Sequence, residues 1–121
     1  MKTYAALAIV AALTMHAAAA AGASDHSSNY FLPSCRAFTN KQFDSGPFRQ
    51  GECVGALEAL AMMASNMDKA LVVTSSCTPD DVTLIQMTTV VVRWLDQHPQ
   101  RCHEDFRVLA LLALHDAWPC K

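Results

Sequence analysis

Val82-Thr83-Leu84-Ile85-Gln86-Met87, continuing through Thr88 to Gln97, is the stretch whose reading decides the fold. Thr83 and Gln86 stand three apart ahead of an apolar run, which is capping-box spacing: the Thr83 hydroxyl accepts from the Gln86 N–H, and the Gln86 side chain accepts from the Thr83 N–H. Val82 and Met87 occupy the positions of a hydrophobic staple. Pro79-Asp80-Asp81 comes just before, and its carboxylates suit a helix N-terminus. Leu84, Met87, Val91, Trp94 and Leu95 then recur at helical spacing and predict a buried face. The run Val90-Val91-Val92 favours a strand, but the cap and the period outweigh it. Pro99 ends the helix, because the residue before a proline is pushed out of the α region.

Working outward from this helix, the pattern predicts three more. Towards the C-terminus, a helix begins within Pro99 to Glu104 and runs to about Ala117, with Glu104 and Asp105 in its first turn. Phe106, Leu109, Ala110, Ala113 and Ala117 line one face of it. Leu111, Leu112 and Leu114 widen that face, which marks a central helix or one at an oligomer contact. Upstream, Gln50 to about Met67 reads as a helix with the apolar row Val54, Leu57, Ala61 and Ala64. Gly51, Gly55 and Ala59 lie four apart and form a small-residue stripe. Each interior glycine costs about 1 kcal/mol against alanine, so the stripe predicts close approach of another helix. Phe31 to Phe43 reads as the first helix, with Leu32, Cys35, Phe38 and Phe43 near one face and Pro33 in its first turn. Asp44-Ser45-Gly46-Pro47 is a turn cluster. Leu71 to Thr74 is short and β-prone, and with no second strand to pair with it reads as a connector.

The rest of the chain sets the context. Its 121 residues allow one domain, and its formal charge is −2. The apolar content of 52% is uneven, since residues 1–23 hold 18 of the 63 apolar residues and the remainder is about 46% apolar, an ordinary globular value. The N-terminus reads as a secretory signal peptide over residues 1–23: Lys2, an apolar run of ten residues from Tyr4 to Leu13, then Ala21-Gly22-Ala23 before polar Ser24. Ten residues are too few for a bilayer core of about 30 Å. The domain then covers residues 24–121. Without Lys2 it carries eight basic and eleven acidic side chains, a net charge of −3. That excludes a basic nucleic-acid or anionic-membrane surface. Export, with no membrane contact after cleavage, follows from the leader.

Export makes disulfides the expected state of Cys35, Cys53, Cys77, Cys102 and Cys120. There is no C-x-x-C for redox or zinc chemistry. Spacing alone leaves 15 ways to draw two bridges among five cysteines, but the helix pattern selects. Cys77 and Cys120 are equidistant from the turn at His98-Pro99, and Cys35 and Cys53 from Asp44-Ser45. Two antiparallel helical hairpins, each closed by a disulfide, are therefore predicted, with Cys102 as a free thiol. The expected architecture is a small all-α four-helix domain.

Catalytic chemistry finds no support in the sequence. Cys102 and His103 are neighbours on one element and point about 100° apart, so they do not make a nucleophile–base pair. His98, Cys102 and His103 have only Glu104 to add as a metal ligand, which does not complete a shell, and Pro99 disturbs the spacing of His98 and Cys102. His115 and Asp116 read as a solvated helix end. Met62, Met63 and Met67 read as core rather than as an adaptable partner stripe. G-x-S-x-G, Walker and H-E-x-x-H motifs are absent. No catalytic residue, cofactor or metal is expected, and the domain reads as a binding protein.

A set of motifs then carries a resemblance. These are Asn29-Tyr30-Phe31 leading to Cys35, Gly51-x-Cys53-x-Gly55, Cys77-x-Pro79-x-x-Val82-Thr83-x-x-Gln86, Val90-Val91-Val92-x-Trp94-Leu95-x-x-His98-Pro99, His103-Glu104, and Ala117-Trp118-Pro119-Cys120. In this order, over Asn29 to Cys120, the chain resembles the Rap/Tai family of immunity proteins against type VI secretion amidase effectors. The resemblance implies a small periplasmic helical protein, often a homodimer, that binds a peptidoglycan amidase and inhibits it stoichiometrically. The four bridge cysteines match family positions. Asp81 stands where the family often has glycine. Cys102 stands where an apolar residue is usual, and would permit an intermolecular disulfide if exposed. The alternative is a periplasmic structural or stress-related binding protein, chaperone-like, with no amidase partner.

Overall fold

A computed structural model describes residues 25–66 and 75–121. The predicted leader, Met67 and the Leu71–Thr74 connector lie outside the described residues. The order is α1 (Ser28–Thr39), α2 (Pro47–Asn66), α3 (Leu84–Gln97), a single 3-10 turn (Pro99–Arg101) and α4 (Phe106–Ala117). The described residues hold four α-helices and no strand, so the all-α expectation stands. α1 packs on α2 and α3, and α4 packs on the other flank of the same two helices.

Local chemistry sets each boundary. α1 starts three residues earlier than the sequence pattern suggests, because the Ser27 hydroxyl accepts from the Tyr30 N–H and caps it. Pro33 is consequently in the second turn, on an exposed side, rather than in the first. The helix also ends before Phe43. The Gln42 N–H reaches the Ala37 carbonyl and the Lys41 N–H the Phe38 carbonyl, with Lys41 at φ 58°. This is a Schellman stop, built on a lysine where glycine is usual. Gly46 turns the chain at φ 70°. Gln50, buried, donates to the Gln42 and Ser45 carbonyls at 2.8 and 2.6 Å and pins the turn between α1 and α2.

α3 carries the full capping box: the Gln86 N–H donates to the Thr83 hydroxyl at 3.2 Å and the Thr83 N–H to the Gln86 side chain at 2.8 Å. Its buried residues are Met87, Thr88, Val91, Val92 and Leu95, so the buried face is turned slightly from the expected one. Leu84 and Trp94 are half-buried. Thr88 tolerates burial because its hydroxyl donates to the Leu84 carbonyl at 2.7 Å. α4 begins later than expected. The 3-10 turn occupies Pro99–Arg101, and Asp105 is the N-cap, accepting from the Arg107 N–H, rather than a first-turn residue.

The core is one cluster that draws on every helix: Leu32 and Cys35 from α1, Cys53, Leu57 and Leu60 from α2, Val91 and Leu95 from α3, Phe106, Leu109 and Leu114 from α4. Phe31 stacks on Phe106 with centroids 4.4 Å apart. Both predicted bridges are present. Cys35–Cys53 closes the α1–α2 hairpin and Cys77–Cys120 ties the chain before α3 to the end of α4.

Two expectations for α2 are corrected. Among the described residues, no other helix packs on the Gly51-Gly55-Ala59 stripe. All three residues are exposed, and a Cβ at either glycine would meet nothing within 4 Å. Met62 and Met63 are not core residues but are 65% and 58% exposed. The reason is rotational. Cys53 must face Cys35 for the bridge, which turns Leu57, Leu60 and Ala64 inward and the small-residue stripe outward.

Candidate functional site

Cys102, His98 and His103 sit at the corner where α3 passes into α4. Cys102 is buried, and its Sγ lies 3.7 Å from both the Leu95 and the His98 carbonyls. Burial, and next the nearby Asp96 carboxylate, push its thiol pKa up. A protonated, enclosed thiol is a poor nucleophile and a poor metal ligand. Its burial also removes it from intermolecular disulfide chemistry. His103, next in the chain, is exposed, so the two side chains diverge.

His98 is spoken for. Its ring stacks on Trp94 at 3.9 Å, and its Nδ1 donates to the Trp94 carbonyl at 2.7 Å. The Arg101 guanidinium lies 5.6 Å over the same indole, and the indole N–H donates to Asp116 at 2.8 Å. Asp116 therefore joins α4 to α3. Glu104 accepts two hydrogen bonds of 2.8 Å from Arg101, and these hold its carboxyl below the usual range. Among the described residues no group of three His, Cys, Asp or Glu could hold a metal ion.

His115 is corrected from a solvated helix end to a tether. It is half-buried, and its Nδ1 donates to the Ser75 carbonyl at 2.7 Å. The Cys77 N–H donates to the Trp118 carbonyl at 2.9 Å, and the Ser76 hydroxyl reaches the Leu114 carbonyl at 3.4 Å. With the Cys77–Cys120 bridge, these bonds stitch residues 75–77 along the end of α4.

The described residues also form open surface grooves. An open groove of about 260 Å³ between α3 and α4 is lined by Val90, Arg93, Trp94, Gln97 and Asp116. A smaller one of about 210 Å³, almost wholly apolar, lies between Phe38, Phe43, Pro47 and Val54, with Gly51 on its wall. Phe48 is 77% exposed. Sequence reasoning missed it, although it continues the Gly51-Gly55-Ala59 row by helical spacing. No described helix is long and apolar enough to cross a membrane.

The fold defines a class: a small all-α domain closed by two disulfides, with His98, His115, Glu104 and Asp116 committed to internal bonds. The comparison with protein-family models gives the particular family. Residues 27–120 match the model of the Rap1a immunity proteins, and the chain belongs to that family. No curated protein and no solved structure matches it. Membership makes the chain an immunity protein, of a family that is generally non-catalytic and that acts by binding a cognate effector.

Proposed function

We propose that the chain is an exported periplasmic immunity protein whose effector is a type VI secretion peptidoglycan amidase, which it inhibits by stoichiometric binding as a homodimer. The observation that carries this reading is the family match across residues 27–120, which spans all four helices and both disulfides. Two further features support it. Two disulfides closing hairpins suit an oxidising compartment. The sequence of residues 1–23 has the n-region, apolar run and cleavage pattern of an export leader.

In this reading the frame is rigid so that the surface is preorganised. An inhibitor that holds its shape before binding loses less conformational entropy on docking. The amidase supplies the chemistry, and this chain supplies only the obstruction of its cleft.

The test is co-expression with a type VI secretion peptidoglycan amidase. The mature protein should co-purify with the enzyme and abolish peptidoglycan cleavage at a one-to-one ratio of chains. Mass spectrometry of the periplasmic form should find its first residue at Ser24. Full amidase activity at molar excess of this protein would overturn the reading. So would suppression of client aggregation at low pH with no amidase binding, which is the behaviour of a chaperone.

A further inference from the structure

The two disulfides sit in different surroundings. Cys35 and Cys53 are fully buried, in the core between α1 and α2. Cys77 is exposed and Cys120 half-buried, and their bridge lies at the surface beside the end of α4. A thiolate must reach a disulfide sulfur to exchange with it. The outer bridge admits that approach in the folded chain, and the inner one admits it only when the core opens. We infer that Cys77–Cys120 is a redox-operated clasp: a dithiol reductant opens it in the native protein, leaves Cys35–Cys53 closed, and loosens the end of α4 and the α3–α4 groove without unfolding the domain.

The exchange balances within the bridge and the dithiol. One thiolate of the reductant attacks the sulfur of Cys77, the more exposed residue. The Cys77–Cys120 bond breaks, and Cys120 leaves as a thiolate that takes up a proton. The reductant's second thiolate then attacks its own sulfur in the mixed disulfide and releases Cys77. Two electrons pass from the dithiol, which ends as a disulfide, to the bridge, which ends as two thiols carrying the dithiol's two protons. The chain's own free thiol does not compete for this bridge. Cys102 is buried ahead of α4, and Cys120 lies beyond its other end, across a 12-residue helix about 18 Å long.

The neighbours of the bridge define what it holds. Ser75 and Ser76 are buried. They are kept there by the His115 bond to the Ser75 carbonyl, the Ser76 hydroxyl bond to the Leu114 carbonyl and the pairing of Ser76 with Pro119. Next to the bridge, the Cys77 N–H donates to the Trp118 carbonyl. While the bridge is closed, these groups are already side by side. Once it opens, the same bonds must hold together positions 43 residues apart against the entropy of the chain between them. The effect reaches the groove through the last turn of α4. Asp116 accepts the Trp94 indole N–H, and Asp116 and Ala117 wall the groove opposite Val90, Arg93 and Trp94. The rest of the frame keeps its own supports, since Phe106, Leu109, Leu57 and the Cys35–Cys53 bridge lie in the core. Opening is therefore local.

The test uses the purified mature chain alone, so that its outcome is separate from amidase binding. The native protein is incubated with dithiothreitol at neutral pH without denaturant, and the thiols formed are trapped with N-ethylmaleimide and mapped. Cys77 and Cys120 should be trapped at least about tenfold faster than Cys35 and Cys53. In the reduced sample, amide exchange at Cys77 and Trp118 should quicken at least about tenfold while Leu57 keeps its protection. The Trp94 indole N–H resonance should shift, because its bond to Asp116 depends on the end of α4. Cys77→Ser combined with Cys120→Ser should give the reduced-state spectrum without reductant and respond no further to it. Equal trapping at both bridges, loss of Leu57 protection along with that of Trp118, or a Trp94 indole signal unmoved by reduction would overturn the proposal.

Discussion

Cys102 shows how burial assigns a role that residue type leaves open. The thiol is buried against the Leu95 and His98 carbonyls and its pKa is raised, chiefly by that burial. It is expected to resist iodoacetamide in the native protein at neutral pH and to react fully once unfolded, as mass shift will show. Ser28 poses the opposite case. Its side chain is fully buried and its hydroxyl has no hydrogen-bond partner among the described residues. An unsatisfied buried hydroxyl costs about 1–3 kcal/mol, so Ser28→Ala is expected to raise stability by about 1 kcal/mol in urea melts. Asp105 is held by Arg107, which donates to it from side chain and backbone, and its carboxyl ionises at about 2 against an ordinary 3.8. A depressed carboxyl adds stability above its unfolded pKa, and that contribution is lost as pH falls through the folded one. Stability should therefore decline between about pH 4 and 2, and Asp105→Asn should flatten that part of the pH profile.

At the scale of the element, α2 and α3 differ in how much of themselves they announce. The start of α3 was readable because capping chemistry is local: Thr83 and Gln86 bond each other wherever the helix packs. Thr83→Ala should cost about 1 kcal/mol, measured by thermal unfolding. The starts of α1 and α4 were less readable. Ser27 sits among other polar residues, and Asp105 follows a 3-10 turn that the sequence pattern does not distinguish from a first helical turn. In α2 the presence of the helix was legible and its rotation was not. Apolar residues lie on both sides of it, so periodicity alone does not say which side meets the core. Gly55→Ala is expected to stabilise the monomer by about 1 kcal/mol, since nothing lies within 4 Å of the added carbon.

For the whole molecule, the two bridges bear on a core drawn from all four helices. In the chain-entropy model the 18-residue link of Cys35–Cys53 contributes about 3 kcal/mol and the 43-residue link of Cys77–Cys120 about 4 kcal/mol. Replacing Cys77 and Cys120 with serine should therefore lower stability more than replacing Cys35 and Cys53, as paired denaturant titrations will show. The second loss carries a further consequence, because the His115–Ser75 and Cys77–Trp118 hydrogen bonds share that seam. Surface ion pairs such as Arg36–Asp96, which bridges α1 and α3, add about 1 kcal/mol or less.

The sequence by itself determined the helical class, the α3 cap, the hairpin turns and the cysteine pairing, because caps, periodicity and symmetric spacing about a turn are local or nearly local. It also carried the motifs of the immunity-protein family over the length that the family model matches. Only the tertiary structure decided which side of α2 is bare, that Met62 and Met63 face outward, and that His98 and His115 are used as internal tethers. Those facts depend on how a helix is rotated against neighbours far away in sequence. Here one constraint, Cys53 directed at Cys35, sets that rotation and leaves Phe48, Gly55 and Met62 on the outer surface.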